Sequence, residues 1–331
     1  MNFSRIKLIA IKEAQDHITS LRFLGLLFLL VALCTIQVLS EIGDYFYWIE
    51  YYNNAPFLAA DRIYALSELP YSINVFTGIS NSVDIGVYGP IIAIALGFDL
   101  ITKEREAGTL KTMLSVPVYR DEVINGKVLG GIIVIIIAVT VLFALEFALL
   151  LLNSIVPGIS EWGYFFAFWV ITILYLSGIF IMSVMISTVS KSSGMSLIFS
   201  VLTFLVLISL ISTIGSFTSD YVLSDPIGEY KNPDENNPEL YEMSVVYNEN
   251  KETIYRITSY LSFRMNYYEI SSVLLRPQNL LEFDDLKDYD RTLPPVGGVL
   301  ASLWGYILFL VAYPLVFFGI AYVKFMRMDL R

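Results

Sequence analysis

The sequence predicts an all-α integral membrane protein: six transmembrane helices, a cytoplasmic N-terminal amphipathic helix, and a large extracytoplasmic loop between helices five and six. Three observations carry this expectation. Apolar residues make up 56% of the 331 residues, mean hydropathy is +0.65, and only 16% of residues are charged, against roughly 25% in an ordinary soluble domain. The chain holds six apolar runs near the length that crosses a bilayer, about 20 residues. Its Lys and Arg residues alternate between successive connecting segments, and that bias sets orientation.

Residues 1–20 open the chain. Phe3, Ile6, Ala10, Ala14, Ile18 and Leu21 recur at three- and four-residue spacing, while Arg5, Lys7, Lys12, Glu13 and Asp16 fall mostly elsewhere. A cationic amphipathic helix of this kind lies along the cytoplasmic membrane interface. The simpler alternative is a flank that only sets topology. The stretch is long and carries acid, and no small-x-small cleavage site follows, so the first apolar run is expected to remain as a span.

The predicted spans are 21–39, 83–101, 128–152, 164–188, 195–215 and 298–323. The second contains Gly86, Gly89, Pro90, Gly97 and Asp99, so a kink or break is expected there. Small residues also let helices approach closely, for instance at a subunit interface. Asp99 is expected to pair with Lys103 one turn later. Glu146 stands inside the third span. A carboxylate there either faces the bundle interior as an intramembrane polar site or lies toward the outer interface.

The N-terminal segment carries Arg5, Lys7, Lys12 and Arg22, and the segment 102–127 carries Lys103, Arg105, Lys111, Arg120 and Lys127. Lys191 follows the fourth span, and Lys324, Arg327 and Arg331 lie in the tail 324–331. By contrast, 40–82 has only Arg62 and 153–163 has no basic residue. Both termini are therefore expected in the cytoplasm, with the chain crossing the plasma membrane several times. The outer loop 216–297 holds fifteen acidic and seven basic residues. The net charge of −10 thus belongs to the exterior and offers nothing to nucleic acid. Within the loop, 225–240 is rich in Pro, Asn and acid and reads as exposed, whereas 253–275 has the spacing of an amphipathic helix on the outer membrane face. A single Cys, Cys34, forms no internal disulfide, and one His (His17) with one Cys excludes the common zinc sets.

The segment 102–127 is polar, lies between two spans, and has its own helical spacing at Leu110, Met113 and Leu114. Pro117 stops that helix and a second begins at Asp121. A short helical pair beneath the membrane suits a cytosolic partner, although a plain solvated loop has the same composition. The run EREAGTLKTMLSVPVYRDEVINGK resembles the signature loop of ABC-2-type permeases of ATP-binding cassette transporters, the NosY-like members above all. Glu104 or Glu106, Gly108, Thr109, Leu110, Leu114, Ser115, Pro117, Arg120, Gly126 and Lys127 match that pattern in order. The opening run IAIKEAQDHITSLRF is also similar.

The resemblance implies a permease subunit, commonly a homodimer in membrane lipid, whose loop rests on a separate ATPase. That partner binds ATP and Mg, so no cofactor is expected on this chain. Arg120 would pair with an acidic site on the ATPase or with phospholipid headgroups. The chain's own residues agree. Gly126-Lys127 is followed by Val128 and lacks a glycine-rich loop before it, so no phosphate-binding loop is present. No H-E-x-x-H, G-x-S-x-G or paired-Cys motif supports catalysis. The outer segment is longer than in many such permeases, which leaves the substrate and an extracytoplasmic partner open. Two other readings also stay open: a stand-alone secondary transporter or channel, and a membrane anchor that holds an outside partner.

Overall fold

The computed structural model describes residues 3–55, 64–85, 88–109, 119–210, 213–214, 217–218, 238–281 and 292–328. Among them every regular element is helical. Helix α1 (Phe3–Ile18) is followed by α2 (Leu21–Asn54). Ser20 separates the two, its Oγ accepting from the Phe23 N–H at 3.2 Å in the manner of an N-cap. A bent segment comes next: a 3-10 turn (Ser72–Phe76), α3 (Thr77–Ser80), a π turn (Asn81–Ile85), α4 (Tyr88–Gly97) and α5 (Thr102–Glu106). Helix α6 (Arg120–Leu152) and α7 (Trp162–Val189) are long, and α8 (Ser193–Leu205) runs on into a π turn (Val206–Leu210). Then come α9 (Pro238–Leu261), α10 (Phe263–Leu275), α11 (Val296–Ser302) and α12 (Trp304–Met326).

Among the described residues four helical stretches are long and apolar enough to cross a membrane: Leu21–Asn54, Arg120–Leu152, Ile159–Val189 and Trp304–Met326. The pair Ser72–Asp84 and Tyr88–Glu106 is bent by 50° and makes a fifth if taken as one span. The expected fifth span at 195–215 corresponds to a shorter apolar helix, Ser193–Ile208, and part of that stretch lies outside the described residues. So do Gly86 and the Pro/Asn-rich part of the outer loop before Pro238.

Helix α7 is the core. Tyr164, Phe168, Tyr175 and Phe180 on it are fully buried, and a helix apolar all round is one that neighbours enclose. Helices α4, α6, α8, α10 and α12 pack around it. The second predicted span meets α7 through its small residues. A Cβ at Gly97 would stand 2.8 Å from the Phe180 carbonyl oxygen, so this glycine serves packing within the chain.

Two sequence expectations change here. The stretch 253–275 is two helices, broken at Ser262, whose Oγ accepts from the Met265 N–H at 3.3 Å. Nor is its second half a surface helix. Phe263, Tyr267, Ile270, Leu274 and Leu275 are buried in the common core, and the Tyr267 ring stacks on Tyr175 at 4.3 Å. Spacing reveals an apolar stripe, but the stripe is covered by α7 and α12 rather than by lipid. The expected separate helix from Asp121 is also absent. That turn is the start of α6, continuous with the third span.

Candidate functional site: the junction around Lys127

Helix α1 lies across the first turns of α6, and two glycines let it. A Cβ at Gly126 would stand 2.7 Å from Ile9 Cβ, and one at Gly130 would stand 2.7 Å from Glu13 Cβ and 2.8 Å from the Ala10 carbonyl oxygen. Ile6, Ala10 and Ala14 form the buried stripe of α1 at this contact. Phe3 and Leu8 on the same helix stay exposed.

Lys127 comes between those glycines in sequence and is 0% exposed. Its Nζ donates to Glu13 Oε2 at 2.8 Å and lies 2.7 Å from Glu104 Oε1. An ammonium removed from water is tolerated only where such partners replace its hydration. One cation thus joins three elements: α1 through Glu13, α5 through Glu104, and α6, which carries it.

Further polar contacts tie the same region. Arg22 grips Asp99 with both terminal guanidinium nitrogens, at 3.0 and 3.3 Å, and lies over the Phe98 ring at 5.2 Å. This replaces the expected pairing of Asp99 with Lys103. A rigid fork held by packed helices reaches both carboxylate oxygens, which a flexible lysine does not. Glu122 is fully buried, accepts from the Tyr119 N–H at 3.3 Å as a helix cap, and lies 3.6 Å from Arg5. Burial lowers the pKa of His17, with Glu13 and Asp99 opposing that shift, so the imidazole favours its neutral form.

The first half of 102–127 is anchored to the end of α7, the α7–α8 connection and the start of α8. Ser187 Oγ accepts from the N–H groups of Ile101 (3.1 Å) and Thr102 (3.2 Å). Arg105 donates to the Ser190 carbonyl. Glu106 accepts from the Ser193 N–H at 2.9 Å and from its hydroxyl at 2.7 Å, placing a carboxylate at the N-terminus of α8, where the helix dipole favours it. Gly108 then turns the chain with φ +70°, a conformation that suits glycine after a helix. Thr109 Oγ1 donates back to the Glu104 carbonyl at 3.2 Å.

At the other end of the loop, Arg120 Nη1 donates to the carbonyls of Met326 (3.1 Å) and Met328 (2.7 Å). Within the chain it closes the C-terminus of α12. Leu110, Leu114, Ser115 and Pro117, with the helix predicted around them, lie outside the described residues. Glu146 is remote from this junction. It is fully buried within the chain, and its Oε1 accepts from Thr35 Oγ1 of α2 at 3.3 Å.

Comparison with known proteins bears on what this junction belongs to. The family model described as ABC-2 family transporter protein matches residues 8–330. The chain belongs to the ABC-2 transporter family. Over 115 residues it is 30% identical to the probable ABC transporter permease protein NosY of Stutzerimonas stutzeri, a stretch covering 33% of this chain and 41% of that relative. The match therefore spans less than half the length of the curated relative.

In this ABC-2 family protein the loop residues singled out by sequence divide in two. Glu104, Glu106, Arg120, Gly126 and Lys127 hold the loop to the helices, while Gly108 and Thr109 shape its turn. Sequence reasoning missed Glu13, Arg22 and Ser193 as partners. Glu13 read as an ordinary polar-face residue, because its cation is 114 residues away. It also passed over Asp84, an acid inside a predicted span, for which the signal used at Glu146 was available.

Proposed function

We propose that this ABC-2 family permease is the membrane subunit of an ATP-binding cassette transporter, and that 102–127 is the surface on which a separate cytosolic ATPase docks. The observation that supports this most is the pairing of buried Lys127 with Glu13 and Glu104. A contact that displaces α5 moves a carboxylate on which α1 and α6 also depend. Glu106 extends the same displacement to α8, and Arg120 extends it to α12. An ATPase shifts such an equilibrium only by binding its two states unequally. A loop tied at both ends converts that difference into helix movement, where a free loop would absorb it.

On this reading ATP and Mg2+ belong to the partner. Two copies of the chain act with two ATPases in the plasma membrane, and the output is substrate export or a conformational signal. The broken segment 72–106 and α8 complete six spans, both termini are cytoplasmic, and 216–297 faces an external partner.

Replacing residues 108–114 by a flexible Gly/Ser linker is expected to abolish co-purification with the ATPase and the stimulation of its activity by the permease. Undiminished binding and stimulation would refute the docking role. Orientation is checked separately. In a Cys34→Ala background, Lys191→Cys should resist a membrane-impermeant maleimide in intact cells and Ser160→Cys should react. The opposite pattern inverts the topology.

A further inference from the structure

Across the molecule from the Lys127 junction, a polar cleft opens between the bent segment and α10. Its position follows from α7. Glu161, at the head of that helix, accepts from Ser72 Oγ at 2.6 Å and from the Ile73 N–H at 3.0 Å, whereas Ser187, at its other end, holds residues 101 and 102. One cavity is about 450 Å³ and is lined by Ser80, Asn81, Asp84, Ser271 and Arg276 among others. A second cavity of about 370 Å³ shares Thr77, Arg276 and Asn279 with the first, so the two adjoin, and it adds Glu41, Asp44 and Glu68 with Tyr45 and Trp48.

Asp84 is the chemically unusual member. It is 1% exposed. Its Oδ1 accepts from Arg264 Nε at 3.0 Å and from the Tyr175 hydroxyl at 3.3 Å, while its Oδ2 has no donor among the described residues. Tyr175 stands 13 residues beyond Trp162 in α7, about 20 Å along the helix at 1.5 Å per residue. The carboxylate is therefore near the middle of a span, yet it borders a cavity. A charged group at that depth marks a functional site by default, and a buried acceptor without a donor is costly to leave so.

We infer that the cleft binds an organic cation, with an ammonium group donating to Asp84 Oδ2. A carboxylate oxygen accepts only, so the ligand must bring the protons. Four carboxylates, Asp84, Glu41, Asp44 and Glu68, line the two cavities; Arg276 lines both and Arg264 pairs with Asp84, so acid still exceeds base and the potential draws positive charge inward. Tyr45, Trp48 and Tyr268 on the walls favour an organic cation through their ring faces. Among the described residues no three His, Cys, Asp or Glu side chains converge as a metal site would need. The volume suits a small molecule. The site requires no ATPase and stands or falls apart from the docking surface.

The full chain in lipid nanodiscs, titrated calorimetrically with spermidine, tests this. Saturable binding is expected, undisturbed by MgCl2 at matched ionic strength. Asp84→Asn should weaken it about tenfold or more, the loss of a charged hydrogen bond. Glu41→Gln and Glu68→Gln in the second cavity should each weaken it about threefold, as half-buried charges without direct contact do, and Asp16→Asn on α1 should leave it unchanged. Absence of saturable binding, displacement of spermidine by Mg2+, or wild-type affinity in Asp84→Asn would overturn the inference. Should Asp84→Asn not fold, unchanged affinity in both Glu41→Gln and Glu68→Gln does the same. The ATPase plays no part in the measurement, so failure here is distinct from failure of the docking test.

Discussion

Lys127→Met should destabilise the junction by about 3 kcal/mol, the lower end of the cost of breaking a buried ion pair. The ammonium itself is 0% exposed, but Glu13 and Glu104 retain 13% and 21% exposure, and water reaching them moderates the loss. Methionine fills a similar volume, so the effect reports charge rather than a cavity. The measurement is the thermal unfolding midpoint of the purified chain, followed by its stimulation of the proposed ATPase partner. Both should fall. Glu13→Gln or Glu104→Gln alone should cost less, because Lys127 keeps one partner. Combining both with Lys127→Met should recover part of the stability, since no uncompensated charge then remains. A wild-type midpoint in Lys127→Met would show that the three elements are not coupled through this cation.

Gly130→Leu is the second large effect. An added side chain meets Glu13 Cβ at 2.7 Å and the Ala10 carbonyl oxygen at 2.8 Å. The second of these is backbone and does not rotate away. Overpacking typically costs about 1–3 kcal/mol, and relief here requires α1 to lift from α6. That lift would also draw Glu13 away from Lys127. Limited trypsin digestion should then cleave at Lys7 and Lys12, which the docked helix protects. Gly25→Ala serves as the control. Nothing lies within 4 Å of a Cβ there, so the midpoint should hold or rise slightly, as alanine favours a helix. Equal protection of α1 in Gly130→Leu and wild type would mean that the close approach is not required.

The part of the molecule legible in the sequence is the part governed by local physics. In lipid, every backbone group must be satisfied within its own segment, so a span announces itself as a run of apolar residues. The runs at 128–152 and 164–188 fall within helical stretches long and apolar enough to cross a membrane. The break near Gly86 and Pro90 was likewise foreseeable from residues that disturb a helix. The loop 104–127 was readable because its residues follow one another in order.

Partnership was not readable in this way. Lys127 and Glu13, Arg22 and Asp99, and Arg264 and Asp84 are separated by 114, 77 and 180 residues. Asp84 and Asp99 stand out locally as acids inside an apolar run, but no periodicity names the partner of any of the six. The stripe at 253–275 shows the same limit. Alternation of apolar and polar residues says that one face of a helix will be covered, but lipid and aromatic side chains serve equally well as the cover. By itself the sequence determined a helical chain with several apolar runs of membrane-crossing length and a polar loop between two of them. Only the tertiary structure decided which charges that loop shares with α1 and α6, and that α10 closes a polar cleft against the bent segment, because those outcomes depend on which helices pack together in space.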